Sequence, residues 1–529
     1  MIQWEEFGEA AFARAKAEGK PVLLHIGATW CHWCHVMDGD TYPHPGVQAI
    51  IAERFVPIRV DTDVRPDVNE RYNQGGWPTV AVLDAQGEVL VGRTYVPAVE
   101  LVMLLSSVSE PGQRWSIAPS LDPVADPSVG LDALWTRVEK AFDRYHGGFG
   151  DFQKFPHVGV CEWLLDRRTQ GGGDMLAKSL DGMANGDLYD HEEGGFFRYA
   201  TQDDWKDPHY EKLLEDNARL LRLYIRAAVA FGQPTWRARA EGVVRWLLAT
   251  LWGDRSLGGS QDADEAYYSL PRTHRGIPPA VDPTVYAGWN GLAASALVLA
   301  AAAWDRPGLA SLAADVGEAL FFRMDESGRI ERTPGGPRGL LSDQAEVAEG
   351  WLWLYQRTGD RRWRVAAERA LTWARDNLRA AEGGYYDTVP GGVGLLRSGR
   401  RPMPANTSFA EACWRLGALS GDDGWLAVAR SAADAALDEG EAFGFMAANA
   451  AAIRARLDQR AVVVKVYRAP ALRDHALCGD AHVLALNLDD AEAERLSFAP
   501  GMAMACTAAA CARPCTTIEA LRAAVAGLG

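Results

Sequence analysis

Three things are scarce in this chain. Cysteine is one: eight residues in 529 are too few to staple a secreted scaffold, so closely spaced cysteines read as catalytic or metal-binding. Positive charge is another. Lys and Arg number 54 against 70 Asp and Glu, a net charge of −16, and such a field disfavours nucleic-acid and anionic-membrane partners. Long apolar runs are the third. The longest, Gly291–Trp304, is Ala-rich and only about half to three-quarters of a membrane span, so it reads as a helix inside a packed domain. The first twenty residues are charged throughout and lack the apolar stretch of a secretory leader, so a cytoplasmic location is expected.

What is present is a soluble globular composition: 48% hydrophobic and 23% charged residues, which excludes a mostly disordered or fibrous chain. The length calls for about two to four domains. Tryptophan is abundant, with 19 residues. Tryptophans line sugar-binding clefts and also fill large helical cores, so the count alone decides nothing.

Composition divides the chain into zones. Residues 1–112 alternate helix and strand: an amphipathic helix over Trp4–Lys20, strands at Pro21–Gly27, Phe55–Asp61, Thr79–Asp84 and Glu88–Arg93, and helices from near Cys31, over Pro45–Arg54, over Asp67–Tyr72 and after Pro97. Residues 113–127 form a Pro-rich linker. Residues 128–450 read as almost all helix, interrupted by Gly-Gly loops at irregular spacing (Gly147-Gly148-Phe149, Gly194-Gly195-Phe196, Gly258-Gly259, Gly383-Gly384-Tyr385). Helical hairpins in a closed ring tolerate such loops at one end. Residues 451–529 form a small α/β unit with strands at Ala461–Ala469 and His482–Leu488 and a helix at Ile518–Ala526.

The sharpest local signal is Trp30-Cys31-His32-Trp33-Cys34-His35, placed after a strand and opening a helix. Unpaired N–H groups at a helix start favour a thiolate, so Cys31 is the candidate nucleophile and Cys34 the resolving thiol. Pro78, after Gly75-Gly76-Trp77 and before a strand, suits the cis proline that faces such a dithiol. Strand order and Cys-x-x-Cys to Pro spacing resemble a thioredoxin fold. His25 stands where thioredoxins place a buried acid, and can itself serve as the base. Three other readings compete: C-x-x-C-H haem attachment, a zinc site from Cys31, Cys34 and His25, His35 or His44, and a thioredoxin domain whose cysteines only pack. No cofactor and no metal are expected.

In the helical zone the densest polar stretch runs from Asp190 and His191 through Arg198, Tyr199 and Trp205 to His209 and Glu211. Glu211 follows His209 at an expected helix start, and a carboxylate beside an imidazole can do general acid/base work on a sugar. Glu211 with Glu215, and Lys212 with Asp216, are four apart and would share a helix face, the second pair as a plain ion pair. Trp289, Asn290 and Asn406 are further candidate ligand contacts, as are Trp30, Trp33 and Trp77 beside the dithiol. The bland reading is that the ring residues cap helices and pair with one another.

These motifs together, GATWCHWCHVM, RPDV, GGWP, NGDLYDHEEGGFFRYATQDDW with PHYEKLLEDNARLL, and WNGLAASAL, resemble the spermatogenesis-associated protein 20 family over nearly the whole chain. The resemblance implies a multidomain fold: an α/β thioredoxin-like domain, an all-α (α/α)6 barrel like those of six-hairpin glycosidases and sugar 2-epimerases, and a small α/β C-terminal unit. It does not imply a reaction. Phe197 stands where relatives usually have a His, which removes one acid/base candidate, and the segment from Tyr72 to Gly75 is shorter than in most relatives, which reshapes the rim beside Pro78.

Cys506, Cys511 and Cys515 could bind zinc with His475 or Cys478, although structural burial is the simpler reading. Cys161 and Cys413 read as core. Three functions remain: a thiol–disulfide oxidoreductase whose ring binds a client or ligand, a carbohydrate isomerase or hydrolase using the ring, and a non-catalytic scaffold. The partners implied are a disulfide client or an electron-donating reductase, and a sugar ligand.

Overall fold

A computed structural model describes residues 1–108 and 131–528; the expected linker at 113–127 lies outside them. The chain divides into two compact units. The first holds the N-terminal residues together with Gly335–Pro337 and Asp387–Arg400.

In the first unit the order is α1 (Glu9–Glu18), β1 (Val22–Gly27), α2 (His32–Val36), α3 (Pro45–Arg54), β2 (Val56–Asp61), α4 (Pro66–Tyr72), β3 (Thr79–Leu83), β4 (Val89–Arg93) and α5 (Ala98–Val108). The strands line up as β2-β1-β3-β4, with β1 and β2 parallel and the other pairs antiparallel. This is a thioredoxin-like α/β sheet. Helix α1 is shorter than the apolar spacing suggests. Trp4–Gly8 is not helical, because Glu5 bridges to Ile58 in extended pairing.

All six residues of β1 are buried. Strand alternation sends Val22, Leu24 and Ile26 into one core and Leu23 into the other. Full burial of each such side chain contributes roughly 1.5–3 kcal/mol. The first of these cores also takes in Leu396. Asp387–Arg400 is held by Arg71, which is almost wholly buried and donates to Asp387 (2.5 and 3.0 Å), Leu395 O (3.1 Å) and Ser398 O (2.9 Å). Tyr72 Oη accepts from Leu395 N–H at 2.8 Å.

The second unit is a ring of helices. After α6 (Leu131–Ala141), α7 (Val158–Asp166) and α8 (Gly172–Asn185) come α9 (Leu214–Phe231), α10 (Pro234–Trp246), the short α11 (Glu265–Tyr268), α12 (Ala287–Trp304), α13 (Pro307–Phe321), α14 (Leu341–Thr358), α15 (Arg361–Asn377), α16 (Met403–Ser420), α17 (Asp423–Gly440) and α18 (Ala448–Asp458). Helices α7, α9, α12, α14, α16 and α18 each touch two others of the set and close a circle; α8, α10, α13, α15 and α17 pack outside, and α6 joins them beside α18. This is an (α/α)6 toroid. The apolar stretch at Gly291–Trp304 lies in α12, an inner helix that is long and apolar enough to cross a membrane and is 83% buried here.

Connections from inner to outer helices are tight. Gly232, Asp305, Gly359 and Gly421 end inner helices in the left-handed conformation, at φ of 67°, 52°, 76° and 72°. Connections from outer to inner helices are long and carry the Gly-Gly loops.

Those loops are held by one repeated device. Asn217 is the fourth residue of α9; its Oδ1 accepts from Phe196 N–H (2.7 Å) and its amide donates to Phe196 O and Leu213 O. Asn290, fourth in α12, does the same with Leu257 and Tyr286, and Asn406, fourth in α16, with Tyr385 and Pro402. Gln344, fourth in α14, takes Ile330 N–H. Gly194 and Gly195 (φ 88° and 82°) enable the turn, and a Cβ at Gly194 would lie 2.3 Å from Gly242 O.

The boundary drawn at 450 falls within α18, which completes the ring. The remaining chain forms a three-stranded sheet with Val462–Tyr467 at its centre, Val483–Asn487 parallel to it and Met502–Cys506 antiparallel. The third strand was not anticipated from sequence. The sheet docks on α14, where Gln356 accepts from Ala485 N–H (3.1 Å) and receives the Asn487 amide (2.7 Å).

Candidate active site

Cys31 is the N-cap of α2, and Cys34 N–H donates to its sulfur at 3.3 Å. That donor favours negative charge on Cys31. Both cysteines are thiols, Cys31 with 6% and Cys34 with 2% of its surface exposed. The Cys34 thiol is raised well above its ordinary pKa, first by its hydrogen bond to Cys31 and then by burial. The arrangement therefore favours the proton on Cys34 and negative charge on Cys31. The Trp77–Pro78 peptide is cis, and its loop is fixed by Thr79 Oγ1, which accepts from Gln74 N–H (3.0 Å) and donates to Gly76 O (2.8 Å).

His25 is fully buried, on the same sheet face as Leu23. Its Nδ1 is 2.8 Å from the Tyr42 hydroxyl, and its Nε2 has no hydrogen-bond partner among the described residues. Burial pushes its pKa down to about 3, so it is neutral. A Cβ built on Gly27 would lie 2.9 Å from His25 Nε2 and 3.3 Å from Cys34 Sγ. His25 Nε2 and the Cys34 sulfur thus face the same small space, which exists because residue 27 is glycine. Sequence reasoning singled out His25 but missed Tyr42 and Gly27. The signal was a glycine two residues after the histidine, at the end of a strand where alternation returns to the same face.

The tryptophans divide. Trp30 is buried and donates to Asp63 Oδ2 at 2.6 Å, so it anchors the loop and is not a ligand contact. Trp33 is 45% exposed and lies against Tyr95, and Trp77 is half-buried against Trp30. His35 Nε2 sits 2.8 Å from Thr29 O.

In the ring, Glu211 lies ahead of α9 and not on it, so it does not share a helix face with Glu215. The extended chain turns Glu211 and Lys212 to opposite sides. On one side Glu211 Oε1 accepts from Arg198 Nε (2.6 Å) and lies 3.8 Å from His209 Nδ1, while its Oε2 is buried without a hydrogen-bond partner among the described residues. His209 stacks on Tyr199 at 4.5 Å and 15°. On the other side Lys212 is wholly buried and donates to Asp190 at 2.6 Å, replacing the expected pairing with Asp216. Asp190 also accepts from Glu192 and Glu193 N–H, so its role is to hold the loop. His191 is exposed and sits on Gly186 O.

Trp205 is buried, donates to His146 O (2.9 Å) and fills the space beside Gly148 and Gly182; it is a packing residue and not a ligand contact. Asn290 and Asn406 are likewise unavailable to a ligand, because backbone groups occupy their amides as described above. Trp289 is nearly buried against Tyr286.

Asp216 was missed as a candidate. Burial and then Glu215 push its carboxyl up to about 7. Ion pairs join the inner helices: Arg219 with Glu346 (2.6 Å), Arg415 with Glu349 (2.9 Å), Arg222 with Glu411 (3.6 Å), and Arg456 with Glu411 (3.2 Å) and Asp166 (3.1 Å). These guanidinium–carboxylate pairs tie the inner helices to one another.

The family Thioredox_DsbH, described as a protein of unknown function (DUF255), matches residues 1–110. The chain is homologous to spermatogenesis-associated protein 20 of Mus musculus, 30% identical over 307 residues, covering 50% of this chain and 39% of that protein. The match thus spans about two fifths of the relative's length. Among solved structures, a sugar epimerase from a ruminal bacterium aligns with TM-score 0.47 at 12% identity, covering 56% of this chain and 82% of that one. A DsbH oxidoreductase aligns with TM-score 0.19 at 21% identity, covering 20% and 84%.

Proposed function

We propose that this protein is a thiol–disulfide oxidoreductase. The observation that carries the reading is the asymmetry of the dithiol: Cys31 accepts the Cys34 N–H, and Cys34 is buried beside the bare Nε2 of His25. Cys31 thiolate attacks a client disulfide, forming a mixed disulfide and releasing one client sulfur as thiolate. Cys34, whose thiol faces His25 Nε2, then loses its proton to solvent, attacks Cys31 Sγ and releases the second client sulfur. The client gains two electrons and two protons, and the Cys31–Cys34 disulfide forms. An electron-donating dithiol reductase returns the pair to its thiols, which suits a reducing compartment such as the cytoplasm. Exposed Trp33 and half-buried Trp77 are the surface a client meets.

The test is covalent trapping. Cys34→Ser accumulates mixed disulfides through Cys31, and Cys31→Ser accumulates none. Equal trapping by both variants would overturn the assignment of the nucleophile.

A second reading is supported by a separate observation: Glu211 Oε2 is buried without a hydrogen-bond partner among the described residues, and its negative charge acts on Asp216, a carboxyl pushed up to about 7. Glu211, paired with Arg198, and Asp216, with its raised carboxyl, form a carboxyl pair suited to acid/base work in carbohydrate isomerisation or hydrolysis. Phe197 in place of a histidine weighs against it. Under this reading Glu211→Gln abolishes turnover of a reducing-sugar panel with melting unchanged; a wild type inert on that panel removes the reading.

A further inference from the structure

The C-terminal sheet carries a second sulfur pair. Cys506, at the end of the edge strand Met502–Cys506, is disulfide-bonded to Cys511. This corrects the expectation that these cysteines are simply buried. Cys506 is buried, but Cys511 is exposed and Cys515 half-buried. The bond closes a short loop, residues 507–510, across two segments that are already hydrogen-bonded: Thr507 N–H donates to Ala510 O (2.8 Å), Ala512 N–H to Ala505 O (2.9 Å), and Ala503 exchanges bonds with Cys515 in both directions (2.8 Å each). A cross-link between segments already paired, closing so short a loop, constrains the unfolded chain little. Its sulfur at Cys511 is open to an attacking thiolate, and exposure makes a disulfide labile.

The other cysteines outside the dithiol are poor redox partners. Cys161 and Cys413 are wholly buried and their thiols are held protonated by burial, and the Cys478 thiol is pushed up to about 12 by burial. Cys515 is raised by burial and donates to Ala503 O at 3.4 Å. The chain therefore offers one nucleophilic dithiol and one accessible disulfide.

We propose that Cys506–Cys511 is a second redox centre, reduced by the Cys31–Cys34 dithiol of this protein. The proposal rests on the oxidoreductase reading. Cys31 thiolate attacks Cys511 Sγ, the Cys506–Cys511 bond breaks, and Cys506 leaves as thiolate and takes a proton. Cys34 loses its proton, attacks Cys31 Sγ and releases Cys511 as the second thiol. Two electrons and two protons pass to the C-terminal pair, and no outside oxidant or reductant enters the step. Exchange between two copies of the chain satisfies this chemistry.

The experiment uses the full chain. Cys34→Ser with its C-terminal disulfide intact is incubated alone, and in parallel with glutathione disulfide, then acid-quenched and peptide-mapped. The expected result is a peptide pair joining Cys31 to Cys511, absent from Cys34→Ser carrying Cys511→Ser as well, and a glutathione adduct at Cys31 in both. A glutathione adduct without any Cys31–Cys511 pair overturns this proposal and leaves the oxidoreductase reading standing. No adduct of either kind at Cys31 overturns both. As a second measurement, wild type reduced and freed of reductant takes up two disulfide equivalents on oxidation, and Cys506→Ser/Cys511→Ser takes up one. Equal uptake by both counts against a second centre.

Discussion

Gly27→Ala is the most informative single perturbation of the dithiol. Gly27 does not have a positive φ, so its backbone accepts alanine, and the new methyl acts only through space. It would lie 2.9 Å from His25 Nε2, 3.3 Å from Cys34 Sγ and 3.7 Å from Cys34 Cβ. The imidazole has little room to retreat, since Tyr42 holds Nδ1 at 2.8 Å and the rings of Trp4 and Tyr42 lie 5.9 and 5.3 Å away. The methyl therefore fills the space that His25 Nε2 and the Cys34 sulfur share. Overpacking of this kind costs about 1–3 kcal/mol, partly offset by about 0.4–1 kcal/mol from the stiffer unfolded chain.

His25, pushed down to about 3, is too weak a base to take the Cys34 proton, and what the methyl removes is the contact of the Cys34 thiol with Nε2. Resolution of the Cys31 mixed disulfide therefore slows by up to about tenfold, the worth of one hydrogen bond of about 0.5–1.5 kcal/mol. Alkylation of Cys31 keeps its rate, because the methyl does not touch its sulfur. The assay forms the mixed disulfide with a model disulfide and follows its decay to Cys31–Cys34 by quench and mass spectrometry from pH 6 to 9. A folded variant that resolves as fast as wild type across this range refutes the role of His25.

Other perturbations follow from the same geometry. His25 is neutral in the folded protein, with a pKa of about 3, and unfolded histidine titrates near 6.5; below pH 6.5 the unfolded state binds the extra proton, so stability of the first unit falls by about 1.4 kcal/mol per pH unit as acid is added. Thermal melts of wild type and His25→Gln between pH 7 and 5 read this as a difference in slope, and parallel curves contradict it. Arg71→Ala leaves Asp387 buried without its guanidinium and costs the first unit about 3–5 kcal/mol, read as a lower denaturant midpoint. A loss below about 1 kcal/mol would show that Asp387–Arg400 is not held there by this pair.

Much of the first unit was legible because its signals are local. Strand alternation in Pro21–Gly27, the N-cap position of Cys31 and the proline before Thr79 each follow from neighbours a few residues apart, and the dithiol follows from them. The ring was legible as a class, since long amphipathic helices and Gly-Gly loops constrain little else.

What the residues do within it was decided by partners far away in sequence. Asn217, Asn290 and Asn406 look like loop polar groups in a linear reading, and only the fold shows each at the fourth position of an inner helix, clamping a loop strand. Lys212 and Asp216 sit at a helical spacing, yet the helix begins only at Leu214, so Lys212 turns to Asp190 and Asp216 is left to titrate near neutrality. Asp387–Arg400 gave no sign in sequence of joining the first unit, because the apolar contact of Leu396 and the ion pair of Asp387 are made with residues more than three hundred positions earlier. Local periodicity determines which elements form. Burial and pairing across the fold determine which charges are neutralised, and so which side chains remain free for chemistry.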